Sequence, residues 1–308
     1  MTETTHPGGI GRLGDRQVGR IGYGAMGLAA GSPEDAAALL HRAVELGLNH
    51  IDTASFYTDG EVNRRIRQAF AAYPDDLVIV SKAGARASSG EIPLALAQKP
   101  AELRAAVELD LAGLGLDCIP VVNLRRADIG PGLVAEGDQL VDLDDQLAEM
   151  IALRDEGKIE AIGISNIDLP TLHRALPAGI VCVQNAYSLL DRKREDLLAV
   201  CLEQDIAWVP YFPLGSAFPG FPKVADNPVV QRIAAELAAT PAQVGLAWLL
   251  AHAPNTLLIA GTASITHLEE NLRAGELRLS VDQLAELDAV PAGELPHGDG
   301  VEAFLDKG

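Results

Sequence analysis

The chain has 308 residues, 48% hydrophobic and 22% charged, enough apolar material for a sizeable core and too much for a disordered chain. Its formal net charge of −19 repels phosphate backbones and anionic lipid, and no local basic patch offsets it, so neither nucleic acid nor a membrane surface is an expected partner. Cys118, Cys182 and Cys201 lack CxxC spacing, which argues against a disulfide framework or a zinc site and fits a reducing, cytoplasmic setting; the first residues have no signal-peptide pattern.

In chain order, residues 11–19 read as a small hairpin able to plug a barrel floor. Short apolar, β-branched runs follow at 19–23, 49–52, 77–82, 118–124, 159–165, 180–185, 206–211 and 256–260. Helical patterns lie between them, with starts at Ser32-Pro33, Thr240-Pro241, Thr266 and Ser280, where a hydroxyl can cap free N–H groups and proline suits the first turn. The helix from about Pro33 to Leu46 carries Ala36, Leu39, Leu40, Ala43 and Val44 on one stripe and stops at Gly47. Strands alternating with helices and apolar on both faces predict a parallel sheet. With no linker in the chain, closure into a single (β/α)8 barrel over residues 1–308 is favoured. Long loops at 83–99, 125–141 and 213–227 would then flank the mouth at which such barrels react.

Gly22-Tyr23-Gly24-Ala25-Met26-Gly27 matches GxGxxG, but the next helix has its own start at Ser32-Pro33, so the glycines do not open it as in a Rossmann site. Their expected task is close approach to a ligand or a neighbouring loop.

Asp52 ends one strand, Tyr57 lies in the loop beyond it, and Lys82 ends the next strand. Neighbouring parallel strands bring these ends to one mouth. A phenol whose pKa is lowered from about 10, a cation that lowers it and a carboxylate that holds the cation are what carbonyl reduction needs.

On these residues, and on Arg20–Met26, Ile51-Asp52-Thr53-Ala54, Ser81-Lys82, Gly163–Asn166, Val183-Gln184-Asn185, Tyr211–Gly215, and Gly261-Thr262 with Glu270-Asn271, the sequence resembles the aldo-keto reductase family over nearly its whole length. The resemblance implies NADPH-dependent reduction of a small-molecule carbonyl, with Tyr57 as proton donor and Lys82 and Asp52 tuning it. It further implies that Gly22 and Leu214 belong to the cofactor site, that Ser165, Asn166 and Gln184 hold the nicotinamide carboxamide, and that Tyr211 stacks on the ring. Gly261, Thr262, His267, Glu270 and Asn271 would take the adenosine end, with N–H groups of a helix starting at Thr266 facing phosphate. Where the family's usual pattern ends strand four in a histidine, this chain has Arg125. A fixed guanidinium can stabilise an oxyanion but cannot titrate as a neutral group, and a strand-end ion pair is the other reading of it. Asn123-Leu124-Arg125 and its companions resemble a bacterial pyridoxal reductase-like subgroup. The missing histidine also leaves open a non-catalytic NADPH-binding sensor, against which the intact Asp52, Tyr57 and Lys82 speak.

Overall fold

The structure is a computed structural model that describes residues 6–89, 94–130, 133–215 and 222–292. It opens with an antiparallel hairpin, β1 (Ile10–Leu13) and β2 (Arg16–Gly19). There follow β3 (Ile21–Gly24), α1 (Pro33–Glu45), β4 (His50–Asp52), α2 (Glu61–Ala69), β5 (Val78–Ala83), the antiparallel pair β6 (Ala85–Ala87) and β7 (Leu94–Leu96), α3 (Pro100–Leu114) and β8 (Ile119–Arg125). The second half runs α4 (Leu143–Asp155), β9 (Ile159–Ser165), α5 (Leu169–Ala175), β10 (Ile180–Gln184), α6 (Glu195–Glu203), β11 (Ala207–Trp208), α7 (Pro228–Glu236), α8 (Pro241–His252), β12 (Leu258–Ile259), α9 (Ile265–Arg273) and α10 (Val281–Asp288).

Local chemistry sets the helix ends. Ser32 and Asp35 form a capping box at the start of α1, whose Ala36, Leu39, Leu40 and Ala43 are buried, and Gly47 just beyond it adopts φ +85°. One expected start is displaced: Ser264, not Thr266, caps α9, because the Ser264 hydroxyl accepts from His267 N while Thr266 already lies inside the helix. The stretch 83–99 is likewise not all loop, since β6 and β7 pair within it.

Eight strands form one parallel ladder in the order β11-β10-β9-β8-β5-β4-β3-β12. Its two ends meet: Trp208 N donates to Asn255 O (2.9 Å) and Leu257 N donates to Trp208 O (2.8 Å), closing the (β/α)8 barrel. The residues expected to form strands do so, with several runs shortened at their ends. Odd and even positions then part company, as strand geometry requires. Ile51, Ile79, Val122, Leu124, Ile162, Ile164 and Val183 face outward into the helix layer. Val78, Val80, Val121, Cys182, Ala207, Val209 and Leu257 fill the barrel floor with Leu13 and Val18 of the hairpin, which is the plug expected from residues 11–19.

Above that floor, large and small side chains interlock. A Cβ on Gly22 would lie 2.1 Å from His50 Nε2, and one on Gly163 would lie 2.1 Å from Asn123 Oδ1 and 2.5 Å from Cys182 Sγ. The Cys182 thiol donates to Asn123 Oδ1 at 3.2 Å, so the pocket above Gly163 is filled. Gly163→Ala is therefore expected to overpack the barrel and cost about 1–3 kcal/mol. Urea denaturation checks this, and a parental midpoint would show that the interior can give way.

Candidate active site

The upper inward layer of the barrel consists of Asp52, Lys82, Arg125, Ser165 and Gln184, each the last residue of its strand except Lys82, which precedes the last residue, Ala83. Period-two alternation puts them there, each two residues beyond an interior position such as His50, Val80, Asn123 or Gly163. Lys82 and Asp52 form a buried ion pair through Nζ and Oδ1, with side chains 8% and 4% exposed. Lys82 Nζ also donates to Thr53 O at 3.0 Å, and Gln184 Nε2 reaches from β10 to Asp52 Oδ2 at 2.8 Å.

Tyr57 joins this group from the loop after β4. Lys82 Nζ lies over its ring, 4.9 Å from the centroid, and Phe56 packs edge-on against it with centroids 5.1 Å apart. The turn immediately after it runs through Thr58, Asp59 and Gly60, with φ of 48°, 50° and 77°. Left-handed non-glycine residues are strained and collect where the surroundings over-determine them.

Charge is distributed in a way the sequence did not suggest. Burial raises the Tyr57 phenol above its usual range, and Lys82 and Arg125 only partly offset this, so the expected lowered phenol is corrected. Burial opposes the Lys82 charge, but Asp52 and Tyr57 outweigh it and hold the ammonium above its usual range.

Arg125 and Arg126 have opposite fates. Arg126 takes both oxygens of Asp128 at 2.7 Å and also bonds Gln146. Arg125 has no ion-pair partner among the described residues, and its buried Nη1 has no hydrogen-bond partner there. Burial lowers its pKa, with the Tyr211 and Tyr57 hydroxyls opposing that. The strand-end ion pair belongs to Arg126.

The expected cofactor residues other than Gly22 fall into two groups. At the mouth, Asn166 adopts φ +59°, held by donation from Nδ2 to Arg126 O (3.1 Å) and Ile129 O (2.8 Å), and its Oδ1 accepts from the Tyr211 hydroxyl at 3.1 Å. Tyr211, whose phenol burial pushes up to about 12, therefore stands beside Asn166, and Arg125 interacts electrostatically with both it and Tyr57. Gln184 Oε1 is buried without a partner among the described residues, an acceptor suited to an amide N–H of a bound group. Further round the rim, the exits of β3 and β12 touch: a Cβ on Gly261 would lie 2.6 Å from Gly24 O, and the Tyr23 hydroxyl donates to Thr262 O at 2.7 Å. His267 is exposed on α9, Glu270 and Asn271 half-buried nearby, and Leu214 packs toward Gly245 of α8.

Gly22 does not join either group. Register aligns Gly24 with Asp52, so Gly22 lies a layer lower against His50, and close approach to a neighbouring loop is the task of Gly24. No α-helix starts at these glycines; a 3-10 turn, Ala25–Ala30, intervenes before Ser32. Part of the loop at 213–227 and the tail 293–308 lie outside the described residues.

A closed barrel whose C-terminal mouth gathers a phenol, a paired ammonium, and a guanidinium and an amide acceptor unpaired among the described residues defines an enzyme of the (β/α)8 class. The family model for the aldo/keto reductase family matches residues 20–292, and the chain belongs to that family of NADP(H)-using oxidoreductases. It is 42% identical over 287 residues to a pyridoxine 4-dehydrogenase of Escherichia coli, covering 90% of this chain and 96% of that one. It is 31% identical to an uncharacterized oxidoreductase of Schizosaccharomyces pombe, covering 90% and 88%. Among solved structures, an aldo-keto reductase from Klebsiella pneumoniae in complex with NADPH matches with a TM-score of 0.76 at 28% identity, covering 93% of this chain and 96% of that one.

Asp52→Asn is expected to cost about 3–5 kcal/mol, because it strips the charge from one member of a buried pair and strands the other. Chemical denaturation measures this; a variant as stable as its parent would mean that Lys82 does not depend on Asp52.

Proposed function

We propose that this enzyme reduces an aldehyde that carries an ionisable hydroxyl beside its carbonyl, with pyridoxal to pyridoxine as the reaction. The observation that carries the reading is the unpaired guanidinium of Arg125 beside Tyr57 and Tyr211. A phenolate next to the aldehyde matches it in charge, and a charge-assisted hydrogen bond would orient the substrate with its carbonyl toward Tyr57. The 42% identity to a pyridoxine 4-dehydrogenase supports the same vitamin B6 couple.

NADPH, when bound, supplies the hydride. Gln184, Ser165 and Asn166 are the residues to hold its carboxamide, the orphan Gln184 Oε1 being the fitting acceptor, and Tyr211 is the ring to stack on the nicotinamide. Gly261, Thr262, His267, Glu270 and Asn271 are assigned to the adenosine end. The Tyr57 hydroxyl, kept protonated by burial, gives its proton to the carbonyl oxygen, while Lys82 beside it stabilises the phenolate left behind. Arg125 stabilises negative charge growing on the same oxygen, and Asp52 keeps the Lys82 ammonium in place.

Three measurements test this. In an assay of NADPH oxidation, pyridoxal is expected to give a higher kcat/KM than generic aromatic aldehydes; equal turnover across unrelated aldehydes would remove pyridoxal as the preferred substrate. Tyr57→Phe should lower kcat by about 100-fold or more, the usual worth of a positioned proton donor. Arg125→His should leave the fold intact and add a new inflection to the pH profile, since imidazole titrates near 6.5 whereas guanidinium stays charged. An unchanged profile would put Arg125 outside the reacting centre.

A further inference from the structure

Outside the barrel wall, in the helix layer behind β5, lies a second buried carboxyl. Asp110 is on the inner face of α3, fully buried beside Leu103, Ala106, Val107 and Leu114. Its two oxygens accept from different elements: Oδ1 from Asn63 Nδ2 of α2 and Oδ2 from the Ser81 hydroxyl of β5, each at 2.7 Å. Asn63 Oδ1 in turn accepts from the Thr53 hydroxyl at 2.7 Å, and the Thr53 carbonyl is the second acceptor of Lys82 Nζ at 3.0 Å. Asp110, Asn63, Thr53 and Ser81 are all at most 1% exposed. Hydrogen bonds therefore link this carboxyl through Asn63 to the side chain of Thr53, and the carbonyl of that same residue accepts from the ammonium.

We propose that Asp110 is a positioning residue for Lys82: it fixes the Thr53 peptide that receives the ammonium, and its charge adds from behind to that of Asp52 in front. This rests on the reading of Tyr57 as proton donor beside Lys82. Among the described residues no cation is bonded to Asp110. Of the groups facing it, Ser81, Asn63 and Ser55 are neutral, and Lys82 is the cation whose field reaches it. Arg64 of α2 is turned to Glu61 and Arg67 to the Ala112 carbonyl. Burial raises the Asp110 carboxyl to about 7, so above neutral pH it is ionised and its field acts on the site. A negative charge behind Lys82 disfavours the phenolate and keeps the Tyr57 proton on until higher pH.

Asp110→Asn retains an acceptor for Asn63 and removes the charge. In steady-state reduction of pyridoxal by the NADPH-loaded enzyme, its kcat should lose activity on the alkaline side at a pH at least 0.3 unit below the parent, with the KM for NADPH within about twofold. A purely structural role would not move that limb in this direction. Asp110→Thr provides the same readout should Asp110→Asn fail to fold, because it likewise removes the charge and its hydroxyl oxygen can accept in the carboxyl's place. A limb displaced by less than 0.3 unit, or upward, in the folded variant overturns the proposal. The parent run alongside separates the two readings: absence of pyridoxal turnover counts against the substrate, and any aldehyde the parent does reduce serves for the pH series. An alkaline limb that survives Tyr57→Phe counts against the proton donor instead.

Discussion

Lys82 carries a charge into a layer of the barrel that water barely reaches, and a buried ammonium must find its partners in the protein. Asp52 supplies the opposite charge from the neighbouring strand, and Thr53 supplies a carbonyl from the next residue. The second oxygen of Asp52 is then taken by Gln184, from a strand on the far side of the mouth. One buried charge thus ties three strands together at the rim, and it leaves the other end of Gln184 as a buried acceptor with no partner among the described residues. Stability and the readiness of the site come from the same set of bonds.

The barrel below makes that layer possible. Its interior is not uniformly apolar: His50, Asn123 and Cys182 occupy the level beneath the charges, and they fit only because Gly22 and Gly163 leave room. His50, pulled down to about 4 by burial, is neutral there and brings no charge to compete with Lys82. The hairpin seals the floor with Leu13 and Val18, so the interior is open only toward the mouth.

Arg125 and Arg126 show how strongly the pleat decides chemistry. Neighbours in sequence, they project to opposite faces, and the outward one meets Asp128 and Gln146 while the inward one meets two phenols. The inward guanidinium lacks a carboxylate among the described residues and keeps its charge where a histidine would have offered a titrating group.

Much of this was legible in the residues. The alternation of short apolar runs with capped helices specified strands, helices and their parallel order, because burial on both faces and N-terminal capping are local in sequence; Asp52 and Lys82, read at strand ends, and Tyr57, in the loop between them, stood out as candidates from that placement. Asp110 was missed, although its signal was there: an acid at the inward position of the stripe Leu103, Ala106, Val107 and Leu114. The start of α9 was misplaced by two residues because Ser264 and Thr266 are equally able to cap, and only the path of the chain out of β12 chooses between them. Likewise, sequence cannot rank burial against charge at Tyr57, assign Asp128 to Arg126 and not to Arg125, or bring Gln184 to Asp52. The arginine pairing follows from which face the pleat gives each neighbour, and the other two depend on strands far apart in the chain that only closure of the barrel brings together.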